Sequence, residues 1–293
     1  MANTFTKLYL TNAAPTFDPA ATKGAWTSTA GKVTKALDSQ KNDHQGITTT
    51  VAVNDTVTTN PNKILLYQGI SGPLAAQTIS GNVDVVIPIL ESSASADFNW
   101  GVHIWVTQGN SSTVRGTLLT DYNEALGTNE WPTTITAKGL NAAQAMTSVI
   151  ASAGDRIVVE IGYYARNAVS TTFTGTLRYG TCDTLNNFAF ATDLTAGDTG
   201  TALTTKAPFI SFSSAITEGT VDGRLSQAVR ETIINANPSA QLSQAVRETI
   251  INANPNAQLS QMVREVIIAN AVVVTFNAGW AKGSNVVLRR KLD

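Results

Sequence analysis

Five carboxylates in this chain could carry acid–base work: Glu91, Asp97, Glu124, Glu130 and Glu160. Glycoside hydrolysis needs two such groups on either side of a sugar ring, one to protonate the leaving oxygen and one to act as base or nucleophile. None of the five forms a tight acidic motif, and their spacing sets no two of them across one cleft. They read as structural, with Glu160 a solvated strand residue beside Tyr164. His44 and His103 are far apart, and neither sits in a metal-ligand spacing such as H-E-x-x-H. Cys182 is the only cysteine, so neither an intrachain disulfide nor a thiolate metal site can form within one chain. With no Walker-type loop and no dinucleotide fingerprint either, the residues point to a chain without enzymatic activity, cofactor or metal.

Recognition by aromatic side chains is the better-supported chemistry. In DFNWGVHIWV the period-2 alternation puts Phe98, Trp100, Val102, Ile104 and Val106 on one face, and Asn99, Gly101, His103 and Trp105 on the other. An outward Trp105 beside His103 could stack on a sugar ring or bury into a partner. Trp131, between Glu130 and Pro132, is a loop aromatic open to the same use. The plainer alternative is that both sheet faces are covered and these residues are core or subunit interface.

The elements that must position these residues are strands. Short β-type runs separated by Gly, Asn, Asp, Ser and Pro clusters predict strands near 5–10, 47–53, 63–69, 77–90, 97–108, 113–119, 133–137, 156–165, 171–180 and 207–213. That pattern is an antiparallel β-sandwich, jelly-roll-like, over 1–214. In RIVVEIGYY, Ile157, Val159, Ile161 and Tyr163 share the core face, opposite Val158, Glu160, Gly162 and Tyr164. Pro88 has no ladder donor, so its strand is predicted to lie at an edge or to bulge there. One short helix is predicted at 140–150, where Leu140, Ala143, Ala145 or Met146, and Val149 fit helical spacing.

Composition agrees. The 293 residues are 43% hydrophobic and only 14% charged, with a net charge of -1. Near-neutral charge gives no drive toward nucleic acid or an anionic membrane. No basic leader precedes an apolar run at the start, and no segment reaches the roughly 18 apolar residues of a spanning helix. A protein made in the cytoplasm, without a signal peptide or membrane insertion, is expected.

The most specific feature follows a hinge at 215–223. LSQAVRETIINANPSAQ at 225–241 returns as LSQAVRETIINANPNAQ at 242–258, and a shorter third copy, LSQMVREVIIANA, begins at Leu259. Near-identity at a 17-residue period marks a modular array over 224–271. As helices the copies carry apolar stripes at Leu225, Val229 and Ile233, at Leu242, Val246 and Ile250, and at Leu259, Val263 and Ile267. Asn-Pro at 237–238 and 254–255 would stop each helix. The helical reading is favoured, while the β character of Ile233-Ile234 and Val272-Val273-Val274 keeps a strand reading open. Seventeen residues hold too little core to stand alone, so the stripes are expected to pack on other copies of the chain. Residues 272–293 read as a β segment with a basic tail.

The LSQxVRE repeats with intervening Asn-Pro resemble repeats in structural proteins of tailed bacteriophages. LLYQGISGPLAAQTISGNV, ADFNWGVHIWV, TVRGTLL and AGDRIVVEIGYYAR are similar to a β-rich domain of phage minor tail proteins. The resemblance covers about 20–270. It implies a non-enzymatic virion component, a fibre, a tail or neck appendage or a capsid-surface protein. Such a protein would assemble as a homo-oligomer, with a trimer the first guess because phage fibres are often trimeric, and would contact other virion proteins. A host-surface glycan is the alternative partner, and the resemblance brings no catalytic residues with it.

Overall fold

A computed structural model describes residues 3–18, 21–41, 48–55, 61–125, 127–166, 172–180 and 192–219, and the backbone of 274–275 and 289–290. The chain divides into two units, Met1–Thr220 and Val221–Asp293. In the second, β17 (Val274–Thr275) pairs antiparallel with β18 (Arg289–Arg290). The three repeats, with the stripes from Leu225 to Ile267, lie outside the described residues.

The regular structure of the first unit is almost all strand. Its early strands are β1 (Thr4–Leu10), β2 (Val33–Asp38), β3 (Thr49–Asp55), β4 (Asn62–Ile70), β5 (Gln77–Ile79) and β6 (Asn82–Glu91). The middle of the unit holds β7 (Phe98–Thr107), β8 (Val114–Asn123), β9 (Thr136–Gly139), β10 (Gln144–Ala145) and β11 (Val149–Ala151). It ends with β12 (Ile157–Ala165), β13 (Phe173–Tyr179), β14 (Thr192–Asp193), a one-turn helix α1 (Ala202–Thr205), β15 (Lys206–Ala207) and β16 (Phe209–Thr217).

The main strands run β3-β13-β6-β16-β1-β2-β4-β12-β7-β8. This ribbon folds into a β-sandwich at its narrowest seam, where β1 meets β2 through only Tyr9↔Asp38 and Leu10↔Leu37. Side chains of both layers interdigitate in one core that includes Leu8, Val85, Ile87, Phe98, Trp100, Ile161, Tyr163 and Leu177. Tyr163 of β12 reaches Gly175 of β13, where an added Cβ would sit 2.3 Å from its ring. The alternation read from β7 and β12 is correct, since Phe98, Trp100, Val102, Ile104 and Val106 all join this core with Ile157, Val159, Ile161 and Tyr163.

Several local expectations change. β2, absent from the sequence reading, pairs with β4 in parallel, an exception in an otherwise antiparallel pair of sheets. The run expected at 77–90 is two strands, broken at Gly81, whose φ of 98° belongs to the left-handed region. Pro88 lies neither at an edge nor at a bulge of β6. On one flank β6 pairs with β16 over residues 83–86 and with β13 over 89–91, and proline's missing donor falls where the partner changes.

The helix expected at 140–150 is not formed. Leu140 N–H donates to Asp84 Oδ1 at 3.0 Å, and Asn141 N–H to Glu124 Oε1 at 2.6 Å, but the residues that follow take strand partners. Gln144 and Ala145 then pair with Val83 and Asn82, and Val149–Ala151 pair with β5. Eleven residues of weak helical pattern do not outweigh ladder bonds of this kind.

Candidate functional site

Two groups of polar residues sit where a soluble sandwich usually buries none. The first lies on the outer face of the β4-β12-β7 sheet. Register sets Glu160 between His103 of β7 and Gln68 of β4. Glu160 is fully buried, because residues 21–26 of the β1–β2 connection cross this face as a strap. Its Oε1 accepts the backbone N–H of Lys23 at 2.8 Å and Trp105 Nε1–H at 2.9 Å. Its Oε2 accepts Gly24 N–H at 2.9 Å and Trp26 Nε1–H at 2.7 Å.

Four N–H donors supply both carboxylate oxygens with partners inside the protein. Gly24 is required by closeness, since a Cβ there would lie 2.5 Å from Trp26 Nε1 and 3.0 Å from His103 Cβ. Gly101 leaves room for the rings of Tyr164 and Trp26. His103 Nδ1 lies 3.0 Å from Asp121 Oδ1, and Asp121 also accepts Ala25 N–H at 2.8 Å. The backbone N–H of Asp121 also donates to Nδ1 at 3.2 Å, and Nε2 is buried with no partner among the described residues.

The expectation of a solvated Glu160 is corrected here, whereas the covered-face reading of the aromatics agrees with their burial. Glu160 is not solvated. Trp105, His103 and Trp131 are 0%, 4% and 1% exposed, so none of the three can stack on a sugar from solvent. Alternation placed Trp105 on the correct face; the strap covers that face, and Trp105 packs with Ile70 and Val158. Trp26, Gly24, Lys23 and Asp121 were not singled out, and the only signal for them was an aromatic in a long run without strand pattern.

The second group closes one end of the sandwich. Glu91 is buried at the end of β6, where its Oε2 accepts Phe98 N–H at 3.1 Å. Burial pushes its carboxyl up to about 8, against the Phe98 donor and with help from the neighbouring charges of Glu130 and Asp97. Glu124, also buried, is raised by burial although Asn129, Asn141 and Tyr122 donate to its Oε1. Lys138 is lowered by burial, against the pull of Glu124, Glu130 and Glu91, and donates to the Glu130 carbonyl at 2.8 Å. Trp131 fills the corner between Phe98, Trp100 and Tyr163. The structure thus gathers four of the five sequence candidates, Glu91, Asp97, Glu124 and Glu130, and sets Glu160 under the strap.

The raised Glu91 carboxyl gives stability a pH dependence of definite sign. A carboxyl raised from 4.5 to about 8 in the native state stabilises the fold fully below the unfolded value, and the contribution is lost as pH rises toward 8. Glu91→Gln keeps an acceptor for Phe98 N–H and removes the titration. Thermal midpoints of the wild type are expected to fall more between pH 5 and 8.5 than those of the variant. Parallel curves would show that Glu91 ionises as in the unfolded chain.

No family model and no curated protein matches the sequence. Among solved structures, an α-amino acid ester hydrolase is similar at 12% identity and a TM-score of 0.38, over 71% of this chain and 36% of that one. An aminopeptidase from the marine sediment archaeon Thaumarchaeota archaeon is similar at 10% identity and a TM-score of 0.39, over 73% and 36%. The chain spans about a third of the length of these two hydrolases. A structure of infectious bursal disease virus, Gx strain, aligns at a TM-score of 0.18 and 10% identity, over 69% of this chain and 44% of that one. These likenesses are too distant to carry function.

Proposed function

We propose that the protein is a non-enzymatic structural component of a tailed-phage particle, a fibre, a tail or neck appendage or a capsid-surface protein, acting through homo-oligomeric assembly. The observation that carries this reading is the near-identical 17-residue array following a sandwich with its own core. Such an array suits repeated self-association better than a single reactive site. The candidate carboxylates support it too, because Glu160, Glu124 and Glu91 are bound to internal N–H and O–H donors and so serve as walls and anchors. The glycan alternative is not carried forward, since the aromatics on which it stood are buried.

Light scattering after size exclusion tests the reading on the full chain and on a chain ending at residue 221. The full chain is expected to be an oligomer, three copies being the first guess, and the shorter chain a monomer. A monomeric full chain at micromolar concentration would overturn repeat-driven assembly.

A further inference from the structure

β1 and β2 are antiparallel neighbours, and a two-residue turn could join them. Instead a 22-residue connection, 11–32, separates them, and within it Thr27 and Ser28 bond to the Lys63 carbonyl of β4. Connections of that length without their own secondary structure are uncommon in compact domains and usually serve a function. Over 21–26 the strap adds no strand to the sheet. It meets the floor mainly through donors, Lys23 N–H, Gly24 N–H and Trp26 Nε1–H to Glu160 and Ala25 N–H to Asp121, with Gln68 Nε2–H donating the other way to the Ala21 carbonyl at 3.5 Å.

The floor answers with acceptors and ring faces. Glu160 and Asp121 take those protons, Tyr164 lies beside the Trp26 ring over Gly101, and the Lys23 ammonium stands 5.7 Å from the Trp105 ring centroid. Beneath Gly24, His103 keeps its buried, unpartnered Nε2. Outward, Lys23, Ala25 and Thr27 are exposed, so nothing described packs above the strap. The arrangement is that of a short peptide bound in a groove, with ligand and groove on one chain.

We infer that this outer face is a peptide-binding groove for a Lys-Gly-Ala-Trp segment, filled in cis by the protein's own strap, and that its partner in trans is the strap of a second copy. The second copy is the occupant because the groove's donor–acceptor pattern, glycine clearance and indole slot match residues 23–26 of this chain. Linkage in cis raises the strap's local concentration to the millimolar range, so exchange belongs to crowded copies, not dilute ones. The inference stands apart from repeat-driven assembly, since peptide binding and oligomer mass are separate readouts.

The test uses the full chain with residues 21–26 replaced by a Gly-Ser stretch of equal length, and a fluorescent peptide of residues 21–29, ATKGAWTST. The strap-replaced chain is expected to melt cooperatively and bind the peptide saturably. The wild type, its groove filled, should bind at least ~10-fold more weakly. Adding Glu160→Gln to the strap-replaced chain should weaken binding at least ~10-fold, because an amide accepts at one atom only.

Competition identifies the partner. A Glu160→Gln chain with its strap intact and released, used below its melting temperature, should displace the labelled peptide from the strap-replaced chain, whereas the wild type should not. A folded strap-replaced chain that binds no peptide would overturn the groove, and so would equal binding by the wild type. A strap-replaced chain that cannot fold would overturn it as well, because the strap would then be core. Peptide binding without displacement by the released strap would overturn the second copy as partner.

Discussion

Glu160→Ala should cost about 4 kcal/mol of stability, a large share of what holds a domain together. The alanine leaves four N–H groups, two from the strap backbone and two indoles, facing a space with no acceptor. Each buried donor left unpaired costs roughly 1–3 kcal/mol, and the strap can recover part by moving outward to water. Glu160→Gln recovers less than its shape suggests, because its amide nitrogen must face two of the four donors. Urea unfolding measures both variants: a shift of midpoint at constant slope reads stability alone. A loss below about 1 kcal/mol for the alanine would mean that water already satisfies the carboxylate.

Gly162→Ala should be the most damaging glycine-to-alanine change among the described residues. A Cβ at this position would lie 1.9 Å from the carbonyl oxygen of Ile64, a backbone atom that no rotamer change can remove. It falls where the β12–β4 register shifts, between Ile161 and Gly162, in the middle of the long strands that carry Glu160 and Tyr163. Relief requires prying β4 from β12, which breaks ladder bonds and opens the core on the other face. The expected loss is about 4 kcal/mol or more, in the range of severe core lesions. Gly109→Ala is the matched control. Gly109 has a φ of 58° and open space around it, so alanine there should cost only about 1 kcal/mol, the conformational penalty alone. Similar losses for the two variants would show that the strand pair spreads freely at Gly162.

The sandwich was legible because its two central strands alternate cleanly. Period 2 in β7 and β12 assigned the core face residue by residue, and that assignment holds from Phe98 to Tyr163. What alternation cannot report is whether the second face is covered. A strap of ordinary loop residues removes Trp105, His103 and Glu160 from solvent without any pattern of its own, and its anchoring carboxylate lies 134 residues from Trp26. β2 was missed for a related reason: Val33–Asp38 has one buried position and a parallel partner, so it lacks both strict alternation and a hairpin turn. The false helix at 140–150 arose because Leu140, Met146 and Val149 do reach one core, but from short strands paired with β6 and β5 rather than from successive turns. Of the site, residue types were readable and burial was not. The stripe Leu225 to Ile267 lies outside the described residues and rests on the repeat alone.

The pairing of β1 also bears on how the chain comes off the ribosome. Its longest partnership is with β16, from Thr4↔Thr217 to Tyr9↔Phe209. The first strand of this unit must therefore wait for its last, an interval of roughly 10–40 s at about 5–20 residues per second. Throughout synthesis TFTKLYL is a β-prone segment without its mate, with Lys7 as its only charge against mispairing. Vectorial folding thus closes the sandwich only after Thr217 has left the exit tunnel.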